Sequence, residues 1–263
     1  MANQPDGNSQ HSLQAGQTVI FLGDHTSPDD AGYVRIMGDV IAHFYPQLGI
    51  NLISAGSPGQ TASGLRRAEL MQILASSKPD WLVIGLGLGD AMREPSARRL
   101  LDEYRKRQAE MANDEAEMTF GPELRVRRSD IGPVSDVGRE PSPSLLNLDA
   151  FKADLAAALA ELGAAGVHAA LLTTIIVGND LHNPVNAILR RYNQAIKEAA
   201  SEQGALFIDV ERAFRDILDR AGNYKQKVAL TGPTGELNAQ GQALLARTVL
   251  AGFHVLPFPG YRP

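Results

Sequence analysis

Residues 18–25 read Thr-Val-Ile-Phe-Leu-Gly-Asp-His, a short β-branched and apolar run that stops at a glycine followed by a charged residue. Such a run is typical of a buried strand that ends in a tight turn. Asp80–Leu86 has the same character, and its nearly unbroken apolar sequence fits a parallel strand covered on both faces. Three further runs complete a set of five predicted strands: Ile50–Ser54, Val167–Thr173 and Ala205–Asp209.

Helical patterns separate these strands. They are predicted over Ala31–Leu48, Ala62–Ser76, Leu148–Leu162, Pro184–Glu202 and Ala239–Leu250. Asn238 precedes the last of them and is a typical helix N-cap residue. The alternation predicts right-handed βαβ crossovers and a three-layer α/β/α sandwich with a five-stranded parallel sheet. In such sheets ligands bind beyond the carboxyl ends of the strands, so a functional site is expected in the loops after strands one, two and three.

The composition limits the classes of function. The chain has 263 residues, 44% of them hydrophobic and 21% charged, which allows a sizeable core and excludes wholesale disorder. Its net charge of -5 provides no attraction to nucleic acid or to an anionic membrane, so neither is expected as a partner. There is no cysteine, which excludes disulfides, thiolate metal ligands and a cysteine nucleophile.

The chain is predicted to form a single domain over residues 18–252. Residues 1–17 are polar and lack the basic and apolar regions of a secretory signal, so we expect a disordered or extended segment there. Residues 253–263 contain three prolines and are predicted to form a C-terminal tail. No apolar run is long enough to span a bilayer. We therefore expect a soluble protein, cytoplasmic because no signal is visible.

Residues 93–147 are too long for one crossover and are interpreted as an insertion on the functional rim, either a lid or a mobile loop. The insertion begins with a charged helix, predicted over Ala97–Glu117, and continues into a stretch rich in Gly, Pro, Ser and Arg. The basic residues of the helix interleave with acids, which is typical of a solvated face. They are Arg98, Arg99, Arg105, Lys106 and Arg107. A second interpretation makes this helix the contact surface of an assembly.

Four blocks in the right order resemble the SGNH/GDSL hydrolase family, which has a flavodoxin-like fold. Residues 21–25, Phe-Leu-Gly-Asp-His, resemble its Gly-Asp-Ser block, and residues 54–61, Ser-Ala-Gly-Ser-Pro-Gly-Gln-Thr, resemble Asn-x-Gly-x-x-Gly-x-Thr. Residues 87–90, Gly-Leu-Gly-Asp, resemble Gly-x-Asn-Asp, and residues 230–241 resemble Asp-Gly-x-His-Leu-Asn-x-x-Gly. Residues 191–193 and 207–210 look like the helix and strand that precede the last block.

The resemblance implies a serine esterase, yet the reactive residues are replaced. The family's mechanism needs a Ser nucleophile, a His base, an Asp that orients it, and oxyanion donors that include an Asn amide. In this chain the Ser position is His25, the Asn position is Gly89, the Asp position is Pro233 and the His position is Glu236. Gly56 keeps the place of the glycine whose N–H binds the oxyanion. One lost donor costs about 10²–10³ in rate, so the four replacements argue against the standard mechanism.

The replaced positions still suggest chemistry. Asp24 and Asp90 each follow a glycine at a strand end, where a carboxylate can accept backbone N–H bonds and hold a turn. His25 and Glu236 occupy places that are hydrogen-bonded in the family, so a charge-assisted pair is expected. The pair could neutralise a ligand-binding cleft, or act as a general base with His25 oriented by Glu236. With Asp24 it could also supply metal ligands, although the spacing does not favour this.

Three accessory residues could rebuild a serine site: Ser27 and Ser57 near strand ends, and His182 after strand four. The G-x-S-x-G nucleophile elbow is absent, and a loop histidine is more often solvent-facing than catalytic. The leading hypothesis is a catalytically degenerate pseudo-hydrolase whose cleft binds a small molecule, a carbohydrate or an acyl ligand, with no cofactor. The alternative is an active esterase or deacylase of acylated carbohydrate or lipid that uses His25 and Glu236, so enzymatic activity is left open at this point.

Overall fold

The computed structural model describes residues 13–24, 32–65, 67–118, 147–223, 228–232 and 235–255. Its strands are β1 (Thr18–Gly23), β2 (Asn51–Ser54), β3 (Trp81–Gly85), β4 (His168–Leu172) and β5 (Leu206–Ile208). They pair in parallel in the order β2-β1-β3-β4-β5. The predicted five-stranded parallel sheet is confirmed. The direction in which the chain builds the sheet reverses between β1 and β3, which is where such folds place their ligands.

The helices form one layer on each face of the sheet. They are α1 (Tyr33–Phe44), α2 (Arg67–Ser77), α3 (Leu88–Met92), α4 (Pro95–Met118), α5 (Leu148–Ala164), α6 (Val185–Gln203), α7 (Val210–Asn223) and α8 (Ala239–Gly252). Helices α1, α7 and α8 pack on one face, and α2 to α6 pack on the other. The three-layer α/β/α sandwich is therefore confirmed. Within the described ranges, no helix combines the length and apolar character needed to cross a bilayer.

The central strands are apolar on both faces because helices cover both faces. In β1, Val19 and Phe21 lie in the core cluster of α1, α7 and α8, whereas Ile20 and Leu22 lie in the opposite cluster. All four side chains are at most 1% exposed. Side chains alternate along a strand, so a strand buried on both sides must be apolar at every position. This is why the run at residues 18–22 predicts the sheet so well.

Two predicted helices are interrupted. The helix predicted over Ala31–Leu48 ends at Phe44, and a short 3-10 helix (Pro46–Leu48) follows. Pro46 has no N–H and disfavours the helical conformation of the residue before it, so α1 stops there. The helix predicted over Ala62–Ser76 consists of a 3-10 turn (Ala62–Leu65) and then α2.

The expected N-cap of α8 is confirmed, since Asn238 Oδ1 accepts the Gly241 N–H at 2.9 Å.

Two helices were not predicted. Helix α3 begins within the Gly-Leu-Gly-Asp sequence that reads as a loop, with Gly87 as its N-cap residue. Helix α7 follows β5 and buries Val210, Phe214 and Leu218 at four-residue spacing, a helical pattern that was present in the sequence. The charged helix of the insertion is confirmed as α4, two residues longer at its start and one at its end. The rest of the insertion, residues 119–146, lies outside the described ranges.

Gly23 lies opposite Gly85 at the carboxyl edge of the sheet, where β1 and β3 pair closely. It pairs with Gly85, and a Cβ at position 23 would stand 2.5 Å from the Gly85 carbonyl oxygen and 3.2 Å from its Cα. These are backbone atoms of a buried strand, so they have no room to move aside. A glycine is required at position 23 because of this contact.

Substitution Gly23→Ala should therefore lower the free energy of unfolding by about 1–3 kcal/mol through overpacking. Gly38→Ala is the matched control, because Gly38 lies inside α1 and a Cβ there meets nothing within 4 Å. The control should stabilise the protein by about 0.5–1 kcal/mol, since alanine is the better helix former. Urea denaturation of both variants checks this, and equal effects of the two substitutions would contradict the packing at Gly23.

Candidate functional site

The carboxyl edge of the sheet is held together by Asp24. The Gly89 N–H donates to Asp24 Oδ2 at 2.8 Å, and the Asp24 N–H donates to the Gly85 carbonyl oxygen at 3.2 Å. Asp24 follows β1, and Gly89 lies in the first turn of α3 just beyond β3. A carboxylate at the start of a helix satisfies N–H groups that have no partner within the helix. The expectation that Asp24 accepts a backbone N–H is confirmed.

Asp90 holds the loop after β2. Both of its carboxylate oxygens accept the Ala62 N–H, at 3.1 and 3.2 Å, and the residue is only 8% exposed. Burial raises the pKa of Asp90 to about 6; the Ala62 N–H opposes this, and the nearby Asp24 carboxylate adds to it. Asp90 thus has the structural role expected of it, and it is the second carboxylate at this edge of the sheet.

Gly89 has no space for a side chain. A Cβ at position 89 would overlap with the carbonyl oxygen of Gln60 and stand 2.9 Å from that of Gly59. The two carbonyls belong to the turn after β2, which is closed by a hydrogen bond from the Gln60 N–H to the Ser57 carbonyl oxygen at 3.1 Å, with Gly59 at φ 73°. The backbone of this turn lies at the position that the Cβ of a residue at position 89 would occupy. An amide at that position is excluded unless the turn moves.

Gly56 and Ser57 lie just beyond β2. The Ala55 N–H donates to the Phe21 carbonyl oxygen at 2.8 Å, which continues the β1–β2 pairing to the residue before Gly56. Gly56 is half-buried, whereas Ser57 is exposed and contributes its carbonyl oxygen to the turn with Gln60. Both residues are therefore at the expected edge of the sheet.

Glu236 lies in a narrow loop before α8. The Gly232 N–H donates to the Glu236 carbonyl oxygen at 2.7 Å, and the Gly178 N–H donates to the Gly232 carbonyl oxygen at 3.1 Å. Glu236 Oε2 lies 2.5 Å from the point where a Cβ of Gly232 would stand, so its side chain folds over that glycine. Asn179 fixes the segment further by accepting the Leu230 N–H at 2.7 Å. Glu236 itself is exposed, in a loop anchored to the segment that follows β4.

His182 is also exposed. Its backbone N–H donates to Asp180 Oδ1 at 2.8 Å, and Asp180 Oδ2 accepts the Tyr104 hydroxyl at 2.8 Å. Asp180 therefore links the loop after β4 to α4 of the insertion. Sequence reasoning placed His182 in this loop but missed the Tyr104 contact, which joins residues far apart in the chain.

A buried carboxylate that sequence reasoning missed lies at the base of the insertion. Glu94 is 0% exposed, and its Oε1 accepts the Tyr192 hydroxyl at 2.9 Å and the Asn147 N–H at 2.9 Å. Burial, followed by the hydrogen bond to Glu94, raises the pKa of Tyr192 above its ordinary value. Glu94 directly precedes α4 and Asn147 directly precedes α5, so one carboxylate joins the starts of these two helices. Only the position of Glu94 beside the Gly-Leu-Gly-Asp block could have suggested it.

The site is thus described in part. His25, Ser27 and Pro233 lie outside the described residues, so the His25–Glu236 pair stays a prediction. The structure places Asp24, Gly89 and Asp90 together. In the described ranges, no group of three or more His, Asp or Glu side chains is arranged to hold a metal ion.

Comparison with known proteins agrees with this architecture. The model of the GDSL-like lipase/acylhydrolase family matches residues 16–244. The chain belongs to this family. An acetylxylan esterase from Geobacillus stearothermophilus is 22% identical over 252 residues, which cover 90% of this chain and 94% of that enzyme.

Solved structures show the same fold. The crystal structure of Axe2, an acetylxylan esterase from Geobacillus stearothermophilus, matches with a TM-score of 0.65 and 20% identity, covering 95% of this chain and all of the other. LAE5, an alpha/beta hydrolase enzyme from the metagenome of Lake Arreo, Spain, matches with a TM-score of 0.64 and 17% identity, covering 92% and 97% of the two chains. In catalytic mutants of Axe2 a serine, an aspartate or a histidine is replaced by alanine, the last two being three positions apart.

The raised pKa of Asp90 predicts a pH-dependent stability. The folded protein binds the Asp90 proton more tightly than the unfolded chain, so this stabilisation is complete below about pH 4 and is lost as the pH rises through about 6. The unfolding free energy of the wild type should fall by roughly 2–3 kcal/mol relative to that of Asp90→Asn over this range. Urea denaturation of both proteins across these pH values measures the difference.

The Asp24→Asn variant tests whether the charge of Asp24 contributes to the raised pKa of Asp90. Because the Asp24 charge contributes to the raised pKa of Asp90, this variant should shift the midpoint of the pH dependence to a lower pH. Wild type and Asp90→Asn curves that run parallel from about pH 4 to about pH 7 would contradict the assignment.

Backbone atoms fill the space beside Gly89, so we expect an asparagine at this position to bring no activity even when the family's other reactive residues are restored. We compare a triple variant, His25→Ser/Pro233→Asp/Glu236→His, with the same protein carrying Gly89→Asn as well. The added amide should lower the free energy of unfolding by about 1–3 kcal/mol through overlap with Gln60. It should also leave p-nitrophenyl acetate hydrolysis no faster. A gain of about 10²–10³ in rate on adding Gly89→Asn would show that the space is open to an oxyanion donor.

Proposed function

We propose that this chain is a pseudo-hydrolase of the GDSL-like family, which keeps a ligand-binding cleft and has lost the standard serine esterase chemistry. The observation that carries the proposal is the packing at Gly89, where the carbonyls of Gly59 and Gln60 fill the start of the side-chain space. An esterase of this class directs an amide donor from that position to the oxyanion. Here the position presents only its backbone N–H, and this N–H donates to Asp24.

The sequence supports the same conclusion at the other reactive positions. After Gly23-Asp24 the chain has His25, and three positions apart in the terminal block it has Pro233 and Glu236. In Axe2 the residues replaced in catalytic mutants are a serine, an aspartate and a histidine. A proline has no group that could orient a base, and a glutamate cannot donate and accept protons through two ring nitrogens as a histidine does.

The position of the cleft and the known relatives suggest its ligand class. Asp24, Asp90 and Gly56 lie at the switch in strand order, at the edge where folds of this type bind ligands. Relatives with the same fold are acetylxylan esterases, so we propose a small carbohydrate or an acylated carbohydrate as the ligand class. In this proposal His25 would form a charge-assisted pair at the mouth of the cleft with Glu236, which is an exposed residue.

The alternative is a rebuilt esterase. The activity named for the acetylxylan esterase relatives favours it, and so does the exposed position of residue Glu236. In this mechanism His25 would take a proton from water as general base, and Glu236 would orient the imidazole. The two hypotheses differ in whether the wild type releases acetate at all.

Hydrolysis of p-nitrophenyl acetate separates the two hypotheses. Wild type, His25→Ala and Glu236→Gln should all show the rate of buffer alone, because no nucleophile or oxyanion site is assembled. The acetylxylan esterase Axe2 provides a positive control for the assay. A saturable wild-type rate that disappears in His25→Ala and falls in Glu236→Gln would overturn the pseudo-hydrolase proposal and favour the rebuilt esterase.

A further inference from the structure

The loop after β4 holds the backbone just before Glu236. Asn179 Oδ1 accepts the Leu230 N–H at 2.7 Å and the Thr231 N–H at 3.3 Å, and its Nδ2 donates to the Thr231 carbonyl oxygen at 2.9 Å. The Thr231 hydroxyl lies 2.9 Å from the carbonyl oxygen of Gly178. One asparagine amide thus bonds to this segment as a neighbouring strand would. The position of Leu230 and Thr231 is therefore set by the loop after β4.

Glu236 is tied in turn to this segment. The Gly232 N–H donates to the Glu236 carbonyl oxygen at 2.7 Å, and the Gly235 N–H donates to the Gly232 carbonyl oxygen at 3.1 Å. Thr231 and Leu237 pair as an antiparallel bridge across the same narrow loop. Because the two sides of the loop are bonded to each other, a displacement of Thr231 displaces Glu236 as well.

Buried asparagines make the loop after β4 rigid. The side chains of Asn183 and Asn186 both donate to the Val177 carbonyl oxygen, at 3.1 and 3.2 Å, and Asn186 Oδ1 accepts the Val177 N–H at 2.9 Å. Asn186 Nδ2 also lies 3.2 Å from the carbonyl oxygen of Asp180. An irregular segment is fixed when side chains satisfy its backbone groups in this way. We therefore expect a displacement of Asp180 to reach Asn179 and not to be absorbed between them.

Tyr104 joins this loop to helix α4. Its hydroxyl donates to Asp180 Oδ2 at 2.8 Å, while Asp180 Oδ1 accepts the His182 N–H at 2.8 Å. The start of α4 is fixed in the core by Ala97 and Leu101, which are both buried. A hydrogen bond to a carboxylate is stronger than one between neutral groups. The bond from Tyr104 therefore connects a well-anchored helix to the loop that holds Glu236.

We propose that Tyr104 is a positioning residue of the candidate site. It holds the Glu236 loop in place through Asp180 and Asn179, and it makes the position of Glu236 depend on helix α4. This dependence belongs to the folded chain and requires no ligand. Its importance for recognition rests on the proposed function, in which Glu236 lies at the mouth of a ligand-binding cleft.

Hydrogen exchange of the full chain tests the proposal through the variant Tyr104→Phe, which keeps the ring and removes the hydroxyl. The N–H groups of Leu230, Thr231 and Gly232 should exchange roughly tenfold faster relative to those of β1, which report on unfolding of the whole domain. The amide signal of Glu236 should also shift in the NMR spectrum. Unchanged relative exchange rates at residues 230–232 would overturn the proposal.

The variant Asp180→Ala tests whether Tyr104 acts through Asp180. It should accelerate exchange at residues 230–232 at least as much as Tyr104→Phe does, because it removes the acceptor of the same bond. Adding Tyr104→Phe to Asp180→Ala should then give no further acceleration, since the two changes remove one interaction. A further acceleration of roughly tenfold in the double variant would show that Tyr104 acts by another route, which would overturn the proposal.

Tyr45→Phe is the matched control, because Tyr45 follows α1 in the opposite helical layer. It should leave the relative exchange rates at residues 230–232 and the Glu236 signal as in the wild type. An acceleration equal to that of Tyr104→Phe would overturn the proposal. These amides are measured without ligand, so the test is separate from that of the proposed function. A wild type that binds no acetylated xylo-oligosaccharide would contradict the ligand-binding cleft alone.

Discussion

The described part of the carboxyl edge of the sheet is organised around the hydrogen bond from the Gly89 N–H to the Asp24 carboxylate. It joins the residue that follows β1 to the first turn of α3, across the point where the strand order reverses. Because α3 begins there, Asp90 reaches the Ala62 N–H and Glu94 reaches Tyr192 and the end of the insertion. One short helix thus connects three loops of the cleft to the base of α4.

The hydrogen bonds of Asp24 and Asp90 that hold the described part of the cleft do not involve the residues that make an esterase. Its supporting groups are carboxylates and backbone N–H groups, and these satisfy one another without a serine, a histidine or an asparagine side chain. Replacement of the reactive residues therefore leaves the fold intact, as the match to solved structures along 95% of the chain illustrates. Function in such a fold is decided by the side chains of the site and not by the fold itself. At Gly89 a side chain would meet the carbonyl oxygens of Gly59 and Gln60, so an amide introduced there by one substitution would require the turn at residues 57–60 to move.

The strands could be predicted from the sequence because burial on both faces forces every position of β1 and β3 to be apolar. Helix α3 could not, because glycines at positions 87 and 89 disfavour a helix locally; the carboxylate of Asp24, 65 residues away, helps to stabilise it. The roles of Asp24 and Asp90 in holding turns could be predicted, since carboxylates after a strand-end glycine commonly accept backbone N–H groups. The closure over Gly89 could not, because it depends on how two loops pack.

We propose that the cleft can bind a ligand but does not catalyse ester hydrolysis. The most direct measurement is an NMR titration of the full chain with an acetylated xylo-oligosaccharide, which follows the amide signals of Gly56 and Gly89 and the methyl signal of released acetate together. We expect saturable shifts of these amide signals and acetate release no faster than in buffer. Acetate release that saturates with substrate and requires His25 would show that the protein is an esterase.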